Sequence, residues 1–166
     1  MKNLLILIVV LGSLSVAKAQ TFDANLDPFQ EVPPHNTPGY GSADLTFSGT
    51  TLSVTTGSGL YADLLAGATA VTINDAAVGS NGPVVLTLTL DTPGNTSGTF
   101  SGSGTLTTGQ ITDLNNGNLY VNIRDSVFPS GEIRGQIRDV PEPSAWALVL
   151  SGSAMLTLFR LRARQA

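Results

Sequence analysis

Acid–base, nucleophilic and soft-metal chemistry ask first for histidine and cysteine. This chain of 166 residues holds one histidine and no cysteine. The histidine, His35, lies in the Pro-rich stretch EVPPHNTPG, whose residue types are those of a turn, so a solvated loop position is expected for it. A hydrolytic triad needs a base beside its nucleophile and a third group to orient that base. A single imidazole in a turn gives no such set, and no catalytic residue is assigned. Zinc and copper sites draw several ligands from His and Cys, so neither a metal site nor a cofactor is expected from these residue types.

Carboxylates are the remaining chemical resource. Eleven of the twelve lie between residues 20 and 139. Calcium, which takes oxygen ligands, is the metal that such a set leaves open. The run DLNNGN, Asp113 to Asn118, has its glycine one place early for an EF-hand, and Arg124 stands where a bidentate glutamate is needed, so that motif is rejected. Glycoside hydrolysis needs two carboxyls that the fold, not the sequence spacing, brings together. No tryptophan lies between residues 20 and 139 to stack on a sugar. The glycine-rich SGTFSGSGTL has no following lysine and no strand-then-helix setting for phosphate. It reads as a small-residue strand that bends, bulges or approaches a neighbour closely.

Between residues 20 and 139 the eleven carboxylates face only three arginines, Arg124, Arg134 and Arg138. A surface so acidic repels a phosphate backbone, and nucleic acid is excluded as a partner. Without disulfides, the domain has to hold together by burying apolar surface, and its length permits that.

The elements that would position these groups read as strands. From Thr21 to Arg138 apolar residues alternate with a period of two, punctuated by Gly, Asn, Asp, Pro and Ser. Eight strands are predicted: 22–26, 41–47, 51–56, 68–74, 84–90, 98–106, 119–124 and 131–137. They imply an all-β antiparallel sandwich or barrel. In VVLTLTL the side chains of Val84, Leu86, Leu88 and Leu90 are expected on the core side. A short helical turn is predicted near 108–116, opened by threonine and stopped by Gly117. Glu132 and Arg134, two apart on one strand, are expected to form an exposed pair.

The two ends read as apolar helical targeting segments. Met1 and Lys2, an apolar run from Leu4, and small residues at Ala17 and Ala19 make residues 1–19 a secretory signal peptide for signal peptidase. At the other end the stretch 145–159 would span about 22 Å as a helix, short of the roughly 30 Å of a bilayer core. It is preceded by Pro141, Glu142 and Pro143 and followed by Arg160, Arg162 and Arg164, a basic end expected to stay cytoplasmic.

Three stretches, FDANLDPFQEVPP, ATAVTINDAAVGSNGPVVLTL and NLYVNIRDSVFPSGEIRGQI, together resemble the CHRD domain, the module named after chordin and found in many bacterial exported proteins. YVNI followed by PSGEIRGQI is the most specific part. CHRD domains carry an A-x-H-I-H strand and histidines around YVNIHT and HPSGEIRG, and the matching positions here are Thr72, Asn74, Arg124 and Phe128. The resemblance therefore implies a structural or binding role without the chemistry of those histidines. The order of Pro-Glu-Pro, short apolar span and basic end closely resembles the PEP-CTERM sorting signal of Gram-negative bacteria. That likeness implies an exosortase-type membrane enzyme as processing partner, an inner-membrane intermediate, and removal of residues 140–166. An ordinary single-pass anchor is the other reading of the tail.

These readings converge on an exported β domain, residues 20–139, sorted to the cell surface or extracellular matrix. Its expected role is non-enzymatic, adhesive, binding or structural, with extracellular polysaccharide or a surface protein as partner. The alternative is an exported carboxylate-dependent enzyme acting on a matrix polymer.

Overall fold

The structure, a computed structural model, describes residues 19–141. The rest of the expected signal peptide, with Ala17, and the sorting tail from Glu142 through Pro143 to Arg160, Arg162 and Arg164 lie outside the described residues. No helix among the described residues is long and apolar enough to cross a membrane.

Nine strands form: β1 Gln20–Leu26, β2 Tyr40–Ser48, β3 Thr51–Ala62, β4 Ala68–Asp75, β5 Val84–Leu90, β6 Gly98–Thr105, β7 Leu119–Asp125, β8 Ile133–Gln136 and β9 Arg138–Asp139. Each neighbouring pair is antiparallel. The order across the sheet is β8-β7-β4-β5-β6-β3-β2-β1-β9. Both ends of that order belong to one short run of chain, because β8 and β9 follow one another. At the top of β1 the Asp27 and Arg134 backbones exchange hydrogen bonds of 3.0 and 3.2 Å, and lower down Phe22 and Asp23 pair with β9. The sheet thus curls into a nearly closed barrel, which leaves few free edges.

The alternation read from the sequence is the cause of the core. Phe22, Ala24 and Leu26 of β1 point inward with Ala43 and Leu45 of β2, Val71 and Ile73 of β4, Val121 and Ile123 of β7, and Phe100 of β6. Each fully buried large side chain contributes about 1.5–3 kcal/mol, and in a chain without cysteine this is the main stabilising term. Helix α1, Thr108–Asn115, follows β6 and opens with a capping box. Thr107 Oγ1 accepts from the Gln110 N–H, while Gln110 Oε1 accepts from the Thr107 N–H. Gly117 ends it with a positive φ of 71°.

Three details differ from the sequence expectation. The run Thr55-Thr56-Gly57-Ser58 does not end its strand. Register shifts on both sides of β3 absorb it as an irregularity, the Thr55 and Ser58 hydroxyls bond across it at 2.7 Å, and β3 continues to Ala62. In β5, Ile73 pairs with Leu86 and Asn74 with Val84, so Val85 is an extra, bulged residue. As a result Val84 is exposed, Leu86 and Leu90 are half-buried, and only Leu88 is fully in the core. The expected last strand divides because it changes partner, from β7 at Ile133–Gln136 to β1 at Arg138–Asp139. The glycine-rich β6 does approach a neighbour closely: a Cβ at Gly104 would lie 2.3 Å from Leu86 Cδ2.

The closing seam between β1 and β8 has a gap in its ladder, and a side-chain amide fills it. Gln30, from the 3-10 turn Pro28–Gln30, donates through Nε2 to the Asn25 carbonyl at 2.7 Å and accepts through Oε1 from the Gln136 N–H at 3.1 Å. It stands in for a peptide group. Gly135 allows the approach, since a Cβ there would meet the Asn25 carbonyl oxygen at 2.7 Å. Replacing Gln30 with alanine removes both bonds, along with the one Nε2 donates to Asp27 Oδ2, and urea unfolding should show a loss of about 1–3 kcal/mol. A loss under about 0.5 kcal/mol would mean that the barrel closes without it.

Candidate functional site

Strands β4, β7 and β8 send alternate side chains to opposite sides. One set is the apolar core. The other set is polar and faces out of the barrel, in two rows fixed by register: Thr72, Asn122 and Arg134, then Asn74, Tyr120 and Gln136. All six are buried. An outward polar row can be buried only if something covers it, and two loops do. Residues 27–39 fold over it from one end of the barrel and residues 76–83 from the other. They meet where Asn81 Nδ2 donates to the Val32 carbonyl at 2.7 Å.

Arg134 is the hub of this covered layer. Its side chain is 1 % exposed, and its Cζ lies 3.4 Å from the centroid of the Tyr120 ring, a cation–π contact strengthened by desolvation. Nη1 donates to the Ser80 carbonyl at 2.7 Å. Nη2 donates to the Ala77 carbonyl at 3.3 Å and to Gln136 Oε1 at 3.1 Å. Gln136 Nε2 continues the network to the Ala76 and Gly117 carbonyls. Tyr120 Oη accepts from the Gly82 N–H at 3.2 Å, and Asn74 Nδ2 donates to the Gly82 carbonyl. The loop 76–83 is therefore held by its own backbone groups. Burial pulls the Arg134 guanidinium below its ordinary value, with Tyr120 and Glu31 acting the other way.

The four positions singled out by the sequence come together here. Thr72 and Asn74 of β4 lie on this face, Arg124 of β7 is opposite Ala70 at its upper end, and Phe128 in the following turn stacks on His35 with ring centroids 4.2 Å apart. Thr72 and Asn74 bond to one another at 2.7 Å. His35 is consequently half-buried against an aromatic ring and not the solvated loop residue expected. Among the described residues no group of three His, Cys, Asp or Glu is placed to hold a metal ion. Ala19 and Pro141 stand exposed at the two ends of the described chain.

Carboxyls also behave differently from the expectation. Glu132 and Arg134 do not form an exposed pair. Glu132 is fully buried, and its two oxygens accept from the Leu65 N–H at 3.1 Å or less. Asp125, beside it, is 1 % exposed and accepts from the Ala66 and Phe128 N–H groups. Burial holds the Glu132 carboxyl above the usual range, and Asp125 pushes it the same way. The fold does bring two carboxyls together, but sealed under the segment 63–66 and occupied by backbone donors. A third, Glu31, is buried under the loop 27–39, and burial pushes it up to about 7 against the opposing pull of Arg134 and Arg124.

Sequence reasoning reached Thr72, Asn74, Arg124 and Phe128 through likeness alone and missed Glu31, Tyr120, Asn122 and Gln136 as site residues. The available signal was the concentration of likeness in YVNI and PSGEIRGQI, which supplies Tyr120, Asn122, Arg134 and Gln136.

The family model of the CHRD domain matches residues 22–137, from β1 to the end of β8. No curated protein and no solved structure matches the chain.

Arg134→Met leaves the Ser80 and Ala77 carbonyls and Gln136 Oε1 without their donor. Urea unfolding should register a loss of at least about 2 kcal/mol. Arg134→Lys, which keeps the charge but not the planar fork, should recover less than half of it. Full recovery by lysine would show that charge alone is required.

Proposed function

The chain belongs to the CHRD domain family, and from that membership we propose that it is an exported, surface-sorted, non-enzymatic module with an adhesive, binding or structural role in the cell envelope or extracellular matrix. Signal peptidase acts at Ala17 and Ala19 in this reading, and an exosortase-type enzyme at Pro141, Glu142 and Pro143. Arg160, Arg162 and Arg164 hold the tail at the inner membrane until it is processed.

The observation that carries the reading is how the polar interior is used. Arg134, Gln136, Tyr120, Asn74, Asp125 and Glu132 all engage the domain's own backbone, which leaves the outer surface for a partner. That surface is acidic, and its seam carries a polar pocket of about 130 Å³ lined by Asp23, Asn25, Gln30, Gln136 and Arg138. Such a lining suits a hydroxyl-rich polymer better than an apolar ligand. The exposure of Pro141 just after β9 also supports processing, since an exposed proline beyond the last strand is open to a membrane enzyme. For the alternative of a carboxylate-dependent enzyme, the burial of Asp125 and Glu132 argues against a substrate reaching that pair.

The mature protein should co-sediment with the polysaccharide of its own matrix and release no new reducing ends. The double variant Asp23→Ala, Arg138→Ala should weaken that binding several-fold without altering the free energy of urea unfolding by more than about 1 kcal/mol. Steady release of reducing ends would favour the enzyme. Intact-mass measurement of the surface protein should lack Arg160 to Ala166, and a retained tail would make it an anchor.

A further inference from the structure

Where the loop 27–39 meets the barrel, two buried oxygens lie over the same glycine, each without a hydrogen-bond partner. Glu31 Oε1 and Asn122 Oδ1 are both buried and unpartnered, on side chains only 4 % and 3 % exposed. They lie 2.4 and 2.3 Å from the point that a Cβ on Gly131 would occupy, so both oxygens share the small space over that glycine. Turning the Asn122 amide over does not resolve the conflict. Its Nδ2 already donates to the Ser130 carbonyl at 2.9 Å, and a carbonyl can never donate in return. A hydrogen on Glu31 gives these two acceptors the donor they lack.

We propose that Glu31 is the protonated donor to Asn122 in the closed domain, and that this single proton latches the loop 27–39 over the polar face of β7 and β8. The groups around it set the direction of the response. Arg134 of β8 and Arg124 of β7 face Glu31 and favour its ionised form. On its own loop the chargeable side chains are Asp27 and His35. The neighbouring loop 76–83 and the turn 126–131 contain none. Burial outweighs the two arginines and raises the carboxyl to about 7 from 4.5.

A group whose folded-state pKa is raised binds more proton in the closed form than in the open one. Closure is therefore strongest at low pH, weakens as pH climbs from 4.5 towards about 7, and changes no further above that. A histidine latch losing closure by gaining charge would give the opposite sign. The device joins the loop to the Arg134 layer, since Val32, next to Glu31, accepts the Asn81 bond that ties the two loops together.

The test is amide hydrogen exchange, corrected for intrinsic rates, at Glu31, His35 and Gln136 in the mature protein. The first two amides donate to the Pro28 carbonyl and the third to Gln30 Oε1, so all report loop opening. The opening constant should rise by up to about tenfold per pH unit between pH 5 and 7 and level off above. Glu31→Gln, which donates to Asn122 at every pH, should stay as closed as the wild type at pH 5 and show no slope. His35→Gln should keep the wild-type slope. A 13C titration of the Glu31 carboxyl in the unaltered protein should have its midpoint near 7, the raised value, and needs no variant to fold. A midpoint near 4.5, a flat wild-type profile, a slope retained in Glu31→Gln, or closure at pH 8 restored by calcium or sodium would each overturn the proposal.

Discussion

A guanidinium taken out of water must have its N–H groups taken up by fixed acceptors, or it costs several kcal/mol. Arg134 meets that constraint through two loop carbonyls, the Gln136 amide and the face of Tyr120. The acceptors are backbone groups of the loop 76–83, so the loop can cover the barrel only in the conformation that presents them. The loop in turn fixes Val32 through Asn81, and with it the loop that carries Glu31. The outer layer of this domain is thus organised from one side chain outward, while the inner layer is an ordinary apolar core.

The same economy appears at the seam. A barrel of nine strands that closes on a two-residue strand has little ladder at its join, and the Gln30 amide supplies the missing rung. The gap, the 3-10 turn that delivers Gln30, and the Asp27 carboxylate that caps that turn form one local unit at the end of β1. Closure here depends on polar groups acting as backbone, in a molecule that has no disulfide to tie its ends.

Much of the inner layer was legible because its cause is local. The alternation in FDANL and LYVNI places Phe22, Ala24, Val121 and Ile123 inward whatever the neighbours are, and the Thr107 and Gln110 spacing announces α1 by itself. The outer layer was not legible, because its cause is non-local. Arg134 in IRGQI looks like a solvent-facing residue of a half-buried strand, and only loops that start at residues 27 and 76, far earlier in the chain, bury it. Glu31 and Asn122 are in the same position, since nothing in EVPP or YVNI shows that the two will meet over Gly131. The strand β3 was cut short for the converse reason: Thr56-Gly57-Ser58 has the composition of a turn, but pairing on both sides carries the strand through it.

Arg134 is held in a buried polar layer and fixes the loops in place through it. Nitrogen-detected NMR of its guanidinium tests this directly. Separate, slowly exchanging Nη–H signals are expected for Arg134, shifted upfield by the Tyr120 ring that its Cζ overlies at 3.4 Å. A single averaged Nη signal at the position of free arginine, exchanging at the rate of a solvated side chain, would contradict it.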